Sequence, residues 1–215
     1  GLMKIYKLMK TYPFQVFRAR IYLPWLNLLG LWQDFKRGII TQKIVELADL
    51  GINPNVGVRY ESVSYHKIKK CLRFAKNQGF DTFLDIGCGA GRPLIIANEV
   101  GFKKIYGIDI SSILIELAQK NLDKRKVKAV LRVCDVDSFE IPNRDLVIWL
   151  FNPFGKERTE RLIEKLIHRK FSSLIIFHNQ KFQTSLERYE IKKYEWNHFG
   201  LYEEKATIYL LPSRD

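Results

Sequence analysis

The chain has 215 residues, 47% of them hydrophobic, which suits one domain with extensions and excludes a disordered composition. Its three cysteines, Cys71, Cys88 and Cys134, have the spacing of neither a disulfide framework nor a metal site. Net charge is +13, and residues 1–80 hold +10 of it, with 14 Lys and Arg against Asp34, Glu46, Asp49 and Glu61. That asymmetry points either to an anionic partner (a membrane surface, a nucleic acid or an acidic substrate) or to the solvated face of an accessory helix.

Residues 1–20 mix Lys4, Lys7, Lys10, Arg18 and Arg20 with Leu2, Ile5, Leu8, Tyr12, Phe14 and Phe17. Ile21 to Trp32 follows without a charge. A basic and then apolar order invites a signal-peptide reading. Gln33, Asp34, Phe35 and Lys36 offer no small-residue cleavage site, and Pro24 and Gly30 interrupt the run. The run is also too short to cross a bilayer as a helix. Residues 1–58 are expected to form a basic amphipathic extension that packs on the rest of the chain, pairs with a second copy or lies on a membrane. Residues 59–215 are expected to form the main domain.

Thr41 to Leu50 has helical spacing and ends at Gly51, with a turn at Asn53-Pro54. A second helix is predicted over His66 to Gln78, closed by Gly79. The stretch before it carries Tyr60, Ser64 and Tyr65.

The most informative stretch is Thr82 to Ser111. Thr82 to Ile86 has strand composition and runs into Gly87, Gly89 and Gly91, spaced G-x-G-x-G. Arg92 to Val100 reads as a helix, and Lys104 to Ile108 as a strand ending at Asp109, 18 residues after Gly91. Strand, glycine turn, helix, strand and acid describe a nucleotide-binding βαβ unit. The glycines let a ligand lie against the backbone, and the helix aims its unpaired N–H groups at that place. Asp109 can accept both hydroxyls of a ribose. Arg92 stands where the dinucleotide fingerprint has its third glycine. Asp85, two residues before Gly87, would repel a pyrophosphate but suits a cationic amino group.

DIGCGAG followed by GIDIS resembles the cofactor site of class I S-adenosylmethionine-dependent methyltransferases, and the likeness extends over roughly Tyr60 to Leu211. The resemblance implies a Rossmann-like methyltransferase fold. Its sheet would be seven-stranded and mostly parallel, with an antiparallel closing strand, and here it would carry an N-terminal helical extension. It also implies S-adenosylmethionine as cofactor, and no cluster of metal-ligating residues appears in the sequence, so no metal is expected. Asp85, Gly87, Cys88, Gly89 and Gly91 would hold the methionine end, and Asp109, with Ile110 beside it, the ribose. Related proteins carry cofactor-covering residues one helix before the glycine loop, which makes Tyr60, Ser64 and Tyr65 candidates for a lid. Tyrosines packing a helix start is the other reading. The cofactor motif and the odd cysteine count favour a reducing cytoplasm, with a membrane-peripheral position open.

Ser112 to Asn121 reads as a helix and Lys128 to Val133 as the third strand. Asp135 follows at once, and its family counterpart contacts the adenine amino group, with the backbone of Val136 in support. The apolar run Asp145 to Phe151 is a buried fourth strand leading into Asn152-Pro153-Phe154-Gly155. That exit resembles the Asn/Asp-Pro-Pro-aromatic motif of methyltransferases acting on amino or amide nitrogens, with Phe154 in place of the second proline. Helix Lys156 to Lys170 and strand Phe171 to His178 follow, and His178 falls on the same sheet edge as a candidate general base. Tyr189 to Trp196 and Lys205 to Leu211 close the sheet.

A sulfonium carries its own leaving group, so the protein mainly positions the nucleophile and excludes water. Asn152 serves an amine acceptor, His178 a hydroxyl acceptor, and Phe154, Tyr60 and Tyr65 line the acceptor side. The pattern is similar to a small bacterial methyltransferase group with an Asn-Pro-Phe strand exit, and more distantly to protein-lysine methyltransferases. The acceptor is expected to be a small molecule or a protein. The alternative is a cofactor-binding adaptor without turnover, attached to a membrane or a nucleic acid through its basic N-terminus.

Overall fold

Short apolar runs bounded by glycine and polar turns become the central strands of one sheet. The computed structural model describes residues 23–41, 63–151, 155–178, 191–196 and 206–213. In chain order the elements are α1 (Leu23–Arg37), α2 (Tyr65–Asn77), β1 (Thr82–Ile86), α3 (Arg92–Val100), β2 (Lys104–Asp109), α4 (Ser112–Lys124), β3 (Val130–Val133), β4 (Leu146–Phe151), α5 (Lys156–Ile167), β5 (Ser173–His178), β6 (Lys192–Trp196) and β7 (Ala206–Leu211). The expected helix over Thr41 to Leu50 and the 58/59 boundary fall outside the described residues, apart from Thr41 itself.

The seven-stranded sheet has the order β3-β2-β1-β4-β5-β7-β6. β1 to β5 pair in parallel, and β7 runs antiparallel to both β5 and β6. This is the mostly parallel sheet with an antiparallel closing strand that the sequence leads one to expect. Parallel strands covered on both faces are largely apolar. Accordingly every residue of β1 and of β5 is buried. One face carries Phe83, Trp149 and Ile176 against Ile68 and Leu72 of α2 and Leu94 and Ile95 of α3. The other carries Leu84, Ile148 and Ile175 against Leu162, Ile163 and Leu166 of α5.

Two local features bring the helices close to the sheet. Gly107 in β2 has no room for a side chain: a Cβ there would lie 2.7 Å from Leu94 Cδ1 and 2.9 Å from Leu131 Cδ2. Ser111 caps α4 by accepting the N–H of Leu114 at 3.3 Å.

α1 forms although Pro24 and Gly30 lie within it. Proline is tolerated in a first helical turn, where N–H groups have no intrahelical partner. Gly30 is buried. Arg37 fixes the helix to α3 through a two-pronged ion pair with Glu99, Nε to Oε1 at 2.8 Å and Nη2 to Oε2 at 3.0 Å. Past the helix, Ile40 exchanges backbone hydrogen bonds with the side chain of Asn121 in α4, which also donates to Ala90 O in the glycine loop.

Candidate functional site

The strand order reverses between β1 and β4, and an open α/β sheet receives ligands at the carboxyl end of such a reversal. Asp85 of β1 lies level with Gly107 of β2 and Trp149 of β4. The chain then turns through Gly87, Gly89 and Gly91, all with positive φ (80°, 51° and 82°). This left-handed backbone favours glycine. Gly87 and Cys88 both donate their N–H to Ile108 O, at 2.8 and 2.9 Å, tying the turn to the end of β2.

Asp109 is the clasp of this loop. Its Oδ2 accepts the N–H of Gly89 at 2.9 Å and its Oδ1 the N–H of Ser111 at 2.9 Å. Each carboxylate oxygen keeps a further lone pair, so the pair can still receive two hydroxyls. Burial raises the Asp109 pKa, and the backbone N–H groups of Ser111, Gly89 and Ile110 oppose that rise.

Asp85 is 1% exposed, and its Oδ2 finds no hydrogen-bond partner among the described residues. Burial, and then the neighbouring Asp109, hold its pKa well above the ordinary carboxyl range. An orphaned buried carboxyl beside a glycine turn fits a ligand that brings its own donors or a positive charge. Cys88 is also buried, which pushes its thiol pKa well up, so it acts as a small packing group.

Beyond β2 and β3, Val136 is buried, and Ile110 is partly open. Asp135 accepts the N–H of Asp137 at 3.0 Å on Oδ1 and pairs with Arg158 of α5 at 2.7 Å on Oδ2. Its carboxylate is thus oriented by two neighbours.

Phe151 of β4 lies level with His178 of β5, so both strands end together. Asn152, Phe154 and Tyr60 lie outside the described residues. His178 is 1% exposed, with its ring 4.3 Å from that of Trp149 and its Nε2 3.9 Å from Cys71 Sγ. Burial, and then Lys67, depress its pKa well below the usual histidine value, which keeps the ring neutral.

Tyr65 opens α2 and is buried. Its hydroxyl donates to Asp34 Oδ1, and its ring lies 4.5 Å from the guanidinium groups of both Arg37 and Arg92. Burial pushes its phenol pKa up to about 12, so it stays a donor at neutral pH.

This tyrosine belongs to a polar cluster that sequence reasoning missed. Arg92, the first residue of α3, donates to Thr41 Oγ1 at 2.7 Å and Val63 O at 2.8 Å, and reaches Asp34 Oδ1 at 3.3 Å. Thr41 in turn donates to Asp34 through its hydroxyl and its backbone N–H. A cation at the positive end of a helix is unfavourable. Asp34 offsets it from 58 residues away. The available signals were a lone acid ending an uncharged stretch and an arginine directly after the last loop glycine.

The residues present fit S-adenosylmethionine. Asp85 and the glycine turn would meet its amino-acid end, Asp109 its ribose, and Asp135 with Val136 its adenine.

A family model described as a methyltransferase domain matches residues 76–186. The chain belongs to this family. The class I S-adenosylmethionine-dependent methyltransferase expected from the two motifs is borne out. Among curated relatives, the chain is 22% identical over 176 residues to a ribosomal protein L11 methyltransferase of Thermotoga neapolitana, covering 81% of this chain and 66% of the relative. A relative of the same name from Streptococcus thermophilus is 30% identical over 101 residues, 46% of this chain and 29% of the relative. The chain thus spans less than two thirds of the length of these relatives.

Solved structures share the fold. An RNA methyltransferase from Salinibacter ruber, in complex with S-adenosyl-L-homocysteine, superposes with a TM-score of 0.55 at 19% identity, covering 72% of this chain and 95% of that one. An O-methyltransferase from Bacillus cereus, also in complex with S-adenosylhomocysteine, gives 0.56 at 14% identity, covering 71% and 83%.

Proposed function

We propose that the protein transfers a methyl group from S-adenosylmethionine to a nitrogen of an acceptor held at the ends of β4 and β5. The observation that carries this reading is the orphaned carboxyl of Asp85 beside the clasped carboxylate of Asp109. The cofactor supplies the methyl on a sulfonium, so the protein's work is placement. Asp85 receives the amino group, Asp109 the ribose hydroxyls, and the backbone of the glycine turn lies against the chain between them. On the acceptor side Asn152 orients the nitrogen, and Phe154 packs on it. Tyr60 serves as the cover, whereas Tyr65, buried on Asp34 and Arg92, packs the start of α2.

Nitrogen is preferred over oxygen because of His178. A buried imidazole with a depressed pKa, packed on Trp149 and Cys71, is a poor base for a hydroxyl. An amine needs no such base, since it can lose its proton before or after transfer. The relatives named for a ribosomal protein make a protein amine a reasonable acceptor class, and a small-molecule amine serves the same geometry.

The basic leading region, residues 1–58 as an extension of a domain over 59–215, would bring this site to an anionic partner in the cytoplasm.

The test is incubation of the full chain and a cell extract with isotope-labelled S-adenosylmethionine, followed by mass spectrometry of labelled products. Label on a nitrogen, lost in Asn152→Ala and kept in His178→Ala, is the expected result. Label on an oxygen that depends on His178 overturns the nitrogen assignment.

A further inference from the structure

α1 is amphipathic in the inverse sense. A helix on a globular domain normally turns its apolar stripe inward and its polar face to water. Here Gly30 and Asp34 are buried against the domain, with Gln33 and Arg37 half-buried beside them. Asp34 reaches Thr41, Tyr65 and Arg92, and Arg37 reaches Glu99. These polar contacts fix the helix's rotation about its own axis. The outward face then carries Leu28 (65% exposed), Leu31, Trp32 and Phe35 (82% exposed), and Ile40 continues it just beyond the helix.

A contiguous outward row of large apolar side chains marks an interaction surface. The charge around it selects the occupant. Lys36 lies on this face with its Nζ 3.6 Å above the Trp32 ring. Residues 1–80 carry a net +10, including five Lys and Arg in the 20 residues directly preceding the helix region. Two copies of so basic a region repel each other, whereas an anionic layer attracts both. Apolar side chains with a tryptophan at the polar boundary, flanked by lysine, are what a helix lying in the plane of a bilayer interface presents. Nucleic acid would draw the charges but leave Leu28 and Phe35 in water.

We propose that the outward face of α1 docks the protein on an anionic lipid membrane, with Leu28, Leu31, Trp32 and Phe35 in the interfacial layer. The inference names the anionic partner of the basic leading region and rests on that reading, not on the identity of the acceptor. No helix among the described residues is long and apolar enough to cross a membrane, so the contact is of the kind that lies on the surface. α1 is tied through Asp34 to Arg92, the residue after the glycine turn, so docking would hold the cofactor loop at the membrane plane.

The experiment is sedimentation of the full chain with vesicles of phosphatidylglycerol and phosphatidylcholine, and with vesicles of phosphatidylcholine alone. The wild type is expected on the anionic vesicles. Leu28→Glu/Phe35→Glu is expected to partition at least about tenfold more weakly, from loss of two interfacial apolar groups. Its affinity for S-adenosylhomocysteine, measured by calorimetry, should be unchanged, which separates failure of docking from failure of the cofactor site. As a second measurement, brominated acyl chains should quench the wild-type tryptophan fluorescence, and Trp32→Phe should lose part of that quenching. Equal vesicle binding by the double variant, no quenching at Trp32, binding of an oligonucleotide but not of vesicles, or a wild-type dimer split by the double substitution would each overturn the proposal.

Discussion

Asp85 and Asp109 are two buried carboxyls with unequal supplies of donors. Asp109 has the N–H groups of Gly89 and Ser111, while Asp85 Oδ2 has no partner among the described residues. Two consequences can be measured. Asp109→Ala removes charge-assisted hydrogen bonds worth roughly 1.5–3 kcal/mol, or about 10- to 150-fold in affinity for S-adenosylhomocysteine by calorimetry. For Asp85 the sign follows from linkage. Its folded pKa lies above its unfolded value, so the native state holds the proton over a range where the unfolded chain has lost it. The cofactor-free protein therefore loses stability as pH rises out of the ordinary carboxyl range towards that raised folded value. Asp109 acts in the same direction. Asp85→Asn should flatten the pH dependence of thermal unfolding, raise the midpoint of the cofactor-free protein at neutral pH, and weaken S-adenosylhomocysteine binding. A lower midpoint at neutral pH would contradict the burial argument.

At the scale of elements, the two ties of α1 differ in kind. The Arg37–Glu99 pair is partly open to water, and such pairs contribute about 0–1 kcal/mol. The Arg92–Asp34 pair is buried, and removing one partner of a buried pair costs about 3–5 kcal/mol because the other charge is stranded. Urea unfolding should show Asp34→Ala in that range and Arg37→Ala far below it. Asp34→Leu/Arg92→Met should recover most of the loss. The contrast between these ties also marks what was legible in the sequence. β1 and α3 could be bounded to the residue, since glycines close both ends of that unit. The ends of β3 and α5 were read too long. Lys128 and Ala129 precede the pairing that begins at Tyr106 with Val130, and α5 ends at Ile167 with His168 as its cap. The Asp34–Arg92 contact joins residues 58 positions apart, and no local pattern encodes such a pairing. The inward turn of α1's polar side was hidden for the same reason, because hydrophobic periodicity tells which residues share a face but not which face meets the domain.

Across the whole molecule, the parallel register of β1, β2, β4 and β5 gathers their carboxyl ends on one edge. Phe151 level with His178, and Ile86 level with both Ile108 and Leu150, bring the glycine loop, the end of β4 and His178 to that edge from separate parts of the chain. Single-turnover methyl transfer can apportion the acceptor side. Asn152→Ala should slow transfer without changing cofactor affinity. His178→Ala should leave the transfer rate nearly intact and act mainly on stability, because its ring fills space against Trp149. A drop of about 10²-fold or more in His178→Ala, with cofactor binding unchanged, would return the general-base role to that residue.

The helix that begins at Arg92 has a consequence for how this protein can be cut. Residues 76–186 match the family model, yet the acid that neutralises Arg92 sits at position 34. A fragment that keeps the cofactor loop but starts after Thr41 would carry a stranded guanidinium at the positive end of α3 and lose Ile39 from the core. Such a fragment should express poorly or precipitate, and exchanging Arg92 for methionine within it should improve its yield. The stretch that matches the family model leaves out the acid on which its own Arg92 depends.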